Sequence, residues 1–263
     1  MDIWGWTRRG IGRCSCRACS AKFVAQDFSP ARFGRSKDLR YKFRQSKLCH
    51  YSNMKKVIIF DFDGTIVDSM NTFADIASSV LNKYFGTPLK EARHQYFATS
   101  GLPFFEQIEL LHPKDARNKR AADEYETIKK ESYFSHKKFD DVDNALSILN
   151  ERGVKTVVSS NNFQDLVDEL VEKLELKFDL VLGWRENFSK GRDHFEFARN
   201  KFSCGKGEMT FVGDSLKDAD RAKEYGIDFI GKTGTFTRHD FECYSGGIKV
   251  IDSLVELEKI LQE

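Results

Sequence analysis

Val57-Ile58-Ile59-Phe60-Asp61-Phe62-Asp63-Gly64-Thr65 runs four apolar residues into two aspartates spaced by one position, then into a glycine. A short apolar run with no polar alternation reads as a strand covered on both faces. Residues two apart on an extended chain point to the same side, so Asp61 and Asp63 can face one crevice while Gly64 lets the chain turn closely behind them. Two neighbouring carboxylates repel unless a cation neutralises them. Mg²⁺ suits that role, because it prefers one or two carboxylates together with waters and phosphate oxygens. A polar turn with helix-capping residues is the competing reading of the same five positions.

Working outward, Phe73, Ile76, Ala77, Val80, Leu81 and Tyr84 recur at three- and four-residue spacing and mark one face of a helix that stops near Gly86 and Pro88. Residues 91–139 show no β pattern, and 116–130 are rich in helix formers and charge, which predicts a small helical insert. Strands and helices then alternate. Helices are expected over 142–150, 163–174, 193–202, 216–225 and 253–261, and strands over 154–158, 179–182, 209–212 and 227–230. This order predicts an α/β fold: a doubly wound parallel sheet with right-handed crossovers and a small α-helical domain inserted after the first strand. In such a sheet ligands bind beyond the carboxyl ends of the strands.

Those ends carry the polar residues of interest. After the 209–212 run comes Gly213-Asp214-Ser215-Leu216-Lys217-Asp218, a second acid pair, although Ser215 and Asp218 also fit a helix-capping box. After the 154–158 run come Ser159, Ser160, Asn161 and Asn162, whose hydroxyls and amides could hold a phosphoryl oxygen, or simply form a turn. Lys190 follows the 179–182 strand and could neutralise a carboxylate and a phosphate, or could be solvated surface.

In this order, D-x-D-G-T at Asp61 to Thr65, a serine, a lysine, and G-D-S-x-x-D at Gly213 to Asp218, the chain resembles the haloacid dehalogenase-like hydrolase superfamily over nearly all of residues 55–263. The resemblance implies a magnesium-dependent phosphatase that passes through an aspartyl-phosphate. It makes Asp61 the nucleophile and Asp63 the general acid and base, with Asp61, Asp63 (through its carbonyl), Asp214 and Asp218 around the metal. It places Gly64, Thr65, Ser159 or Ser160, and Lys190 at the phosphate, Ser159 being preferred because it directly ends the apolar run. Gly191 stands where the family often has proline, and Arg192 one place further is a second candidate cation. The insert, about 69–139, is similar to the helical cap of the phosphoglycolate phosphatase-like and β-phosphoglucomutase-like branch. Within it Thr99 to Pro103 resembles the substrate-facing loop, and Arg93, His94, Arg117, Lys119 and Arg120 are cationic candidates for an acidic substrate. The implied substrate is a small phosphorylated metabolite, with phosphoglycolate the first to test. A phosphosugar mutase is the alternative, and a binding protein without turnover the alternative of another class.

The composition fits this reading. In 263 residues, 40% are hydrophobic and 31% charged, and no apolar run reaches the length of a membrane span. The net charge of +2 conceals an asymmetry: residues 1–53 carry twelve Lys/Arg against three Asp/Glu, and the remainder is acidic. This basic extension shows no sustained periodicity. Three readings compete for it: a start at Met54 that leaves it outside the protein, an organelle leader, or an arm for nucleic acid, to which composition alone gives little support. Cys14, Cys16 and Cys19 lack the second ligand pair of a zinc site. The expectation is a cytoplasmic monomer or homodimer, imported into an organelle if the extension is a genuine leader.

Overall fold

The computed structural model describes residues 55–244 and 247–261, so the readings of the basic extension and its cysteines lie outside the described residues. β1 (Val57–Asp61) is buried throughout and pairs in parallel with β2 (Lys155–Phe163) on one side and β4 (Met209–Gly213) on the other. β3 (Leu180–Trp184), β5 (Asp228–Lys232) and β6 (Lys249–Ile251) extend a parallel sheet of order β3-β2-β1-β4-β5-β6. The order reverses between β1 and β4, and a crevice opens at such a switch point beyond the carboxyl ends of the strands.

Alternation along β1 supplies both faces of the sheet. Ile58 and Phe60 enter a core shared with Phe73 of α1 (Met70–Phe85), Leu146 of α5 (Val142–Glu151) and Val167 of α6 (Gln164–Lys173). Val57 and Ile59 face the other way, toward Phe195 of α7 (Arg192–Lys201) and Ala222 of α8 (Leu216–Tyr225). Asp61 follows the parity of Val57 and Ile59, which sends its carboxylate to the side of α7 and α8.

Between β1 and β2 the chain inserts α1, α2 (Leu89–Ala98), α3 (Phe104–Leu111) and α4 (Asn118–Ser132). Proline starts both short helices, Pro88 before α2 and Pro103 before α3. Its fixed φ and missing N–H cost nothing at a helix entrance. Aromatic side chains of the insert pack on one another within the cluster that also holds Ile58 and Phe60, with Phe104 stacked on Tyr125 at 3.9 Å and the Tyr96 and Tyr125 hydroxyls 3.2 Å apart.

Four elements differ from expectation. β2 does not stop at Val158 but continues through Ser159 to Asn162 and meets β3 again at Phe163 and Trp184 after a register shift. β6 and α9 (Arg238–Tyr244) were not expected. The closing helix is a 3-10 turn at Leu254–Glu256 running into α10 (Leu257–Ile260), started by a Ser253–Glu256 capping box.

Candidate active site

Asp61 is the last residue of β1, and Asp214 directly follows Gly213, the last residue of β4, so the two carboxylates flank the switch point at the ends of adjacent strands. Asp218 arrives from the first turn of α8. Carboxylate oxygens of Asp61, Asp214 and Asp218 all lie within 4.8 Å of one another, and all three residues are buried. Lys190, beside the start of α7, places its Nζ 2.6 Å from Asp61 Oδ1 and 2.8 Å from Asp218 Oδ1. Arg221, one helical turn after Asp218, adds a second cation at 3.0 Å from the same Oδ1 and donates to the Gly101 carbonyl of the insert at 2.9 Å.

The electrostatics follow from this crowding. Burial pushes the Asp61 carboxyl well above its ordinary value despite Lys190, and it pushes Asp214 up to about 6, helped by the charge of Asp218. Burial opposes ionisation of Asp218 too, but Lys190 and Arg221 together outweigh it and hold that carboxyl below its usual range. Burial pulls the Lys190 ammonium down, and Asp218 and Asp61 more than restore it. Three carboxylates against two cations remain under-neutralised. All-oxygen, buried and one charge short, the donor set has the chemistry that a hard divalent cation such as Mg²⁺ takes up.

Asp63 stands at the edge of this cluster. Its Oδ1 accepts from Ser69 Oγ at 2.7 Å and its Oδ2 from Asn162 Nδ2 at 2.6 Å. The segment that carries it is locked by its own backbone: Ile66 and Val67 N–H donate to the Phe62 carbonyl, and Gly64 N–H to that of Val67. Gly64 has φ +79°, and a Cβ there would fall 2.0 Å from Asp214 Oδ2, so the two acid-bearing segments touch at a position that admits no side chain.

These groups open on a cavity of about 820 Å³ whose wall includes Asp61, Asp63, Lys190 and Asp214. Gly64, Thr65, Ser159, Ser160 and Asp218 are buried behind that wall. Ser159 stands opposite Asp61 in the parallel register, and its Oγ lies 2.9 Å from His194 Nδ1. Ser160 Oγ accepts from Asn162 N–H at 3.1 Å. The residues of this strand end that reach the wall are Asn161, Asn162 and Phe163. Thr65 Oγ1 is buried with no hydrogen-bond partner among the described residues. Between the two candidate cations, Lys190 reaches the acids and Arg192 is exposed.

The insert contributes the opposite wall. Ser100, Gly101, Leu102 and Pro103 of the expected loop line the cavity. Its five candidate cations do not. Arg93 pairs with Asp75, Arg117 with Asp115 and Lys119 with Asp123, all on the outer surface, and His94 and Arg120 are absent from the wall. A charge on a helix goes to solvent unless the helix face demands otherwise, and sequence alone did not reveal which face turns inward. Besides Lys190, the cations that do line the cavity are Lys129 and Lys130 of α4 with Lys217 and Arg221 of α8. Lys129 Nζ donates to Asn162 Oδ1 at 2.7 Å. Arg221 had a readable signal, its i+3 spacing from Asp218. Thr235, which donates to Asp214 Oδ2 from a distant loop, had none.

Comparison with known proteins agrees with this geometry. Residues 58–232 match the family model described as haloacid dehalogenase-like hydrolase. The protein named "Probable phosphatase IndB" from Dickeya dadantii (strain 3937) is 29% identical over 191 residues, 68% of this chain and 82% of that protein. A phosphoglycolate phosphatase from Neisseria gonorrhoeae (strain ATCC 700825 / FA 1090) is 23% identical over 220 residues, 79% of this chain and 93% of that one. Among solved structures, a protein described as a predicted phosphatase from Clostridium acetobutylicum shares the fold with a TM-score of 0.68 at 23% identity, covering 80% of this chain and 100% of that one. With the family match extending from β1 to the end of β5, the chain belongs to the haloacid dehalogenase-like hydrolase family.

Proposed function

We propose that the protein is a magnesium-dependent phosphomonoesterase acting through a phosphorylated aspartate. The observation that carries this reading is the meeting of Asp61, Lys190, Asp214 and Asp218 at one strand-end crevice, with Asp63 beside them on the cavity wall. Asp61 ends a rigid strand, so its carboxylate is held in place as the nucleophile toward phosphorus. Attack by its oxygen breaks the ester bond and transfers the phosphoryl group to the carboxylate, dividing hydrolysis into two steps. Asp63 gives a proton to the departing alcohol oxygen and then takes one from the water that cleaves the acyl phosphate. Ser69 and Asn162 hold that carboxyl in orientation. Lys190 neutralises charge gathering between Asp61 and the phosphoryl oxygens, the kind of fixed electrostatic aid on which phosphoryl transfer depends. Asp61, Asp214, Asp218 and the carbonyl of Asp63 would hold Mg²⁺, which when bound supplies charge neutralisation at the phosphoryl oxygens.

The insert acts as a cap, its loop at Ser100 to Pro103 closing the side of the cavity away from the sheet. Phosphoglycolate, the first substrate to test, draws support from the name of one relative at 23% identity.

The test is phosphate release from an aryl phosphate with Mg²⁺ by the wild-type chain and by Asp61→Asn. Release should vanish in the variant while its circular dichroism stays native. Undiminished release would remove Asp61 from the reaction.

A further inference from the structure

The cavity is larger and more aromatic than a two-carbon phosphate ester requires. Its volume of about 820 Å³ falls in the upper part of the range of about 300–1,000 Å³ typical of sites for drug-sized ligands. At its mouth Phe163 and Trp184 form an edge-to-face pair with centroids 5.0 Å apart and planes at 86°. Both line the cavity, and they are 55% and 38% exposed. Phe105 of α3, 61% exposed, reaches the same cavity from the insert. Single exposed aromatics are ordinary, but an assembled set on the wall of one pocket marks a ligand surface.

The pair is built rather than incidental. Phe163 and Trp184 are register partners where β2 rejoins β3. Just behind them the Gln164 side chain continues the ladder, its Oε1 accepting from Gly183 N–H at 2.8 Å and its Nε2 donating to the Val181 carbonyl at 3.2 Å. Gly183 permits this approach, since a Cβ there would sit 2.5 Å from the Gln164 Cα. The strand end is thereby fixed, and the two rings are presented without mobile backbone beneath them.

Position gives the reach. Asp61 pairs with Ser159, and Phe163 lies four residues further along β2. Over that stretch β3 advances only two residues, from Leu182 opposite Ser159 to Trp184 opposite Phe163, so at about 3.3 Å per residue the ring pair stands roughly 7 Å along the sheet from the level of Asp61. A phosphorus atom at Asp61 and a ring on the Phe163–Trp184 pair are therefore separated by several bonds. The carboxylate of a two-carbon acid ends short of that distance.

On the phosphatase reading above, we propose that the alcohol part of the substrate carries a flat aromatic ring about one sugar away from the phosphate. Nucleoside 5′-monophosphates are the nearest chemical class. The ring stacks on Phe163 and Trp184, and Lys130 and Lys217 on the wall offer donors to its polar edge.

The test compares kcat/KM for AMP and UMP with that for phosphoglycolate and glycerol 3-phosphate, using the full chain with Mg²⁺. The ring-bearing esters should be preferred by about tenfold or more, and Trp184→Ala should shrink that ratio by about tenfold, within the range seen for loss of one base–aromatic stack. A ratio of one or less, or a ratio untouched by Trp184→Ala, overturns the proposal. If no ester of either kind releases phosphate, the hydrolase reading fails instead. Binding still decides the platform: AMP should quench tryptophan fluorescence in the wild type and not in Trp184→Phe. Absent quenching, or quenching that persists in that variant, refutes it.

Discussion

Asn162 Nδ2 donates to Asp63 Oδ2 at 2.6 Å, while Asn162 Oδ1 accepts from Lys129 of α4 at 2.7 Å. The same amide also lies 3.0 Å from the Tyr133 hydroxyl. One core side chain thus joins the proposed acid and base of the first strand loop to the helical insert. Asn162→Ala should free Asp63 on one side and leave Ser69 as its remaining tether. General acid catalysis is commonly worth about 10²–10⁴-fold, and misorientation forfeits part of it, so kcat for alkyl phosphates should fall by about ten- to a hundredfold. An aryl phosphate with a good leaving group needs less protonation and should lose much less. Equal losses for both esters would show that Asn162 acts on something other than proton transfer.

The metal expectation has a readout independent of turnover. Asp61, Asp214 and Asp218 crowd three carboxylates against Lys190 and Arg221, and burial makes ionisation of Asp61 and Asp214 unfavourable. A ligand that binds only the folded state raises its stability with concentration. Mg²⁺ should therefore raise the melting temperature of the metal-stripped wild type in a saturable way. In Asp214→Asn the midpoint for Mg²⁺ should move up by about tenfold or more, because one charged ligand is gone. Stripping the metal with a chelator should also stop phosphate release, and adding Mg²⁺ should restore it. Identical Mg²⁺ midpoints in the two chains would place the ion elsewhere.

The strand-end acids were legible in the sequence because apolar runs and acid pairs coincide there, at Phe60–Asp61 and at Gly213–Asp214. A parallel sheet leaves few other places for such pairs to meet. The serine region was not legible to the same degree. Ser159 to Asn162 reads as a turn because it is polar, yet it continues β2, so of these four residues the asparagines reach the wall while the serines turn inward, Ser159 to His194 and Ser160 to the Asn162 backbone N–H. The cap cations failed for a related reason: α4 is charged on several faces, and only packing against β2 decides that Lys129 rather than Lys119 turns toward the site. Thr235 bonds to Asp214 across 21 residues of chain, a distance at which local pattern carries no information.

His194 gives a pH prediction with a definite sign. It is fully buried against Ser159, and burial, aided by the nearby Lys190 charge, pulls its pKa down to about 3 from an ordinary 6.5. Between those values the unfolded chain binds a proton that the folded chain refuses, so stability rises with pH across the window. The contribution is complete above about pH 6.5 and is lost progressively as pH falls toward 3. At about 1.4 kcal/mol per pH unit the full loss is on the order of a few kcal/mol. Urea unfolding of the wild type should show this acid slope, and His194→Gln, which cannot take up the proton, should flatten it. An unchanged slope in the variant would assign the acid sensitivity to the carboxylates.

Gly64 is where conformation and contact make the same demand. Its φ of +79° is strained for any residue with a side chain, and a Cβ would overlap Asp214 Oδ2 at 2.0 Å and Asp214 Cγ at 2.7 Å. The obstacle cannot easily yield, because the Asp214 carboxylate is buried and bonded to Thr235. Gly64→Ala should therefore cost about 1–3 kcal/mol from the backbone alone, with the displacement of Asp214 added to it. Displacing Asp214 also spreads the carboxylate cluster, so the Mg²⁺ midpoint should rise along with the loss of stability. Gly86→Ala is the control: φ there is +72° but nothing lies within 4 Å of the added Cβ, so stability should fall while Mg²⁺ binding stays at the wild-type midpoint. If Gly64→Ala behaves like Gly86→Ala in both measurements, the close approach of the two acid-bearing segments is not what holds the ion's ligands together.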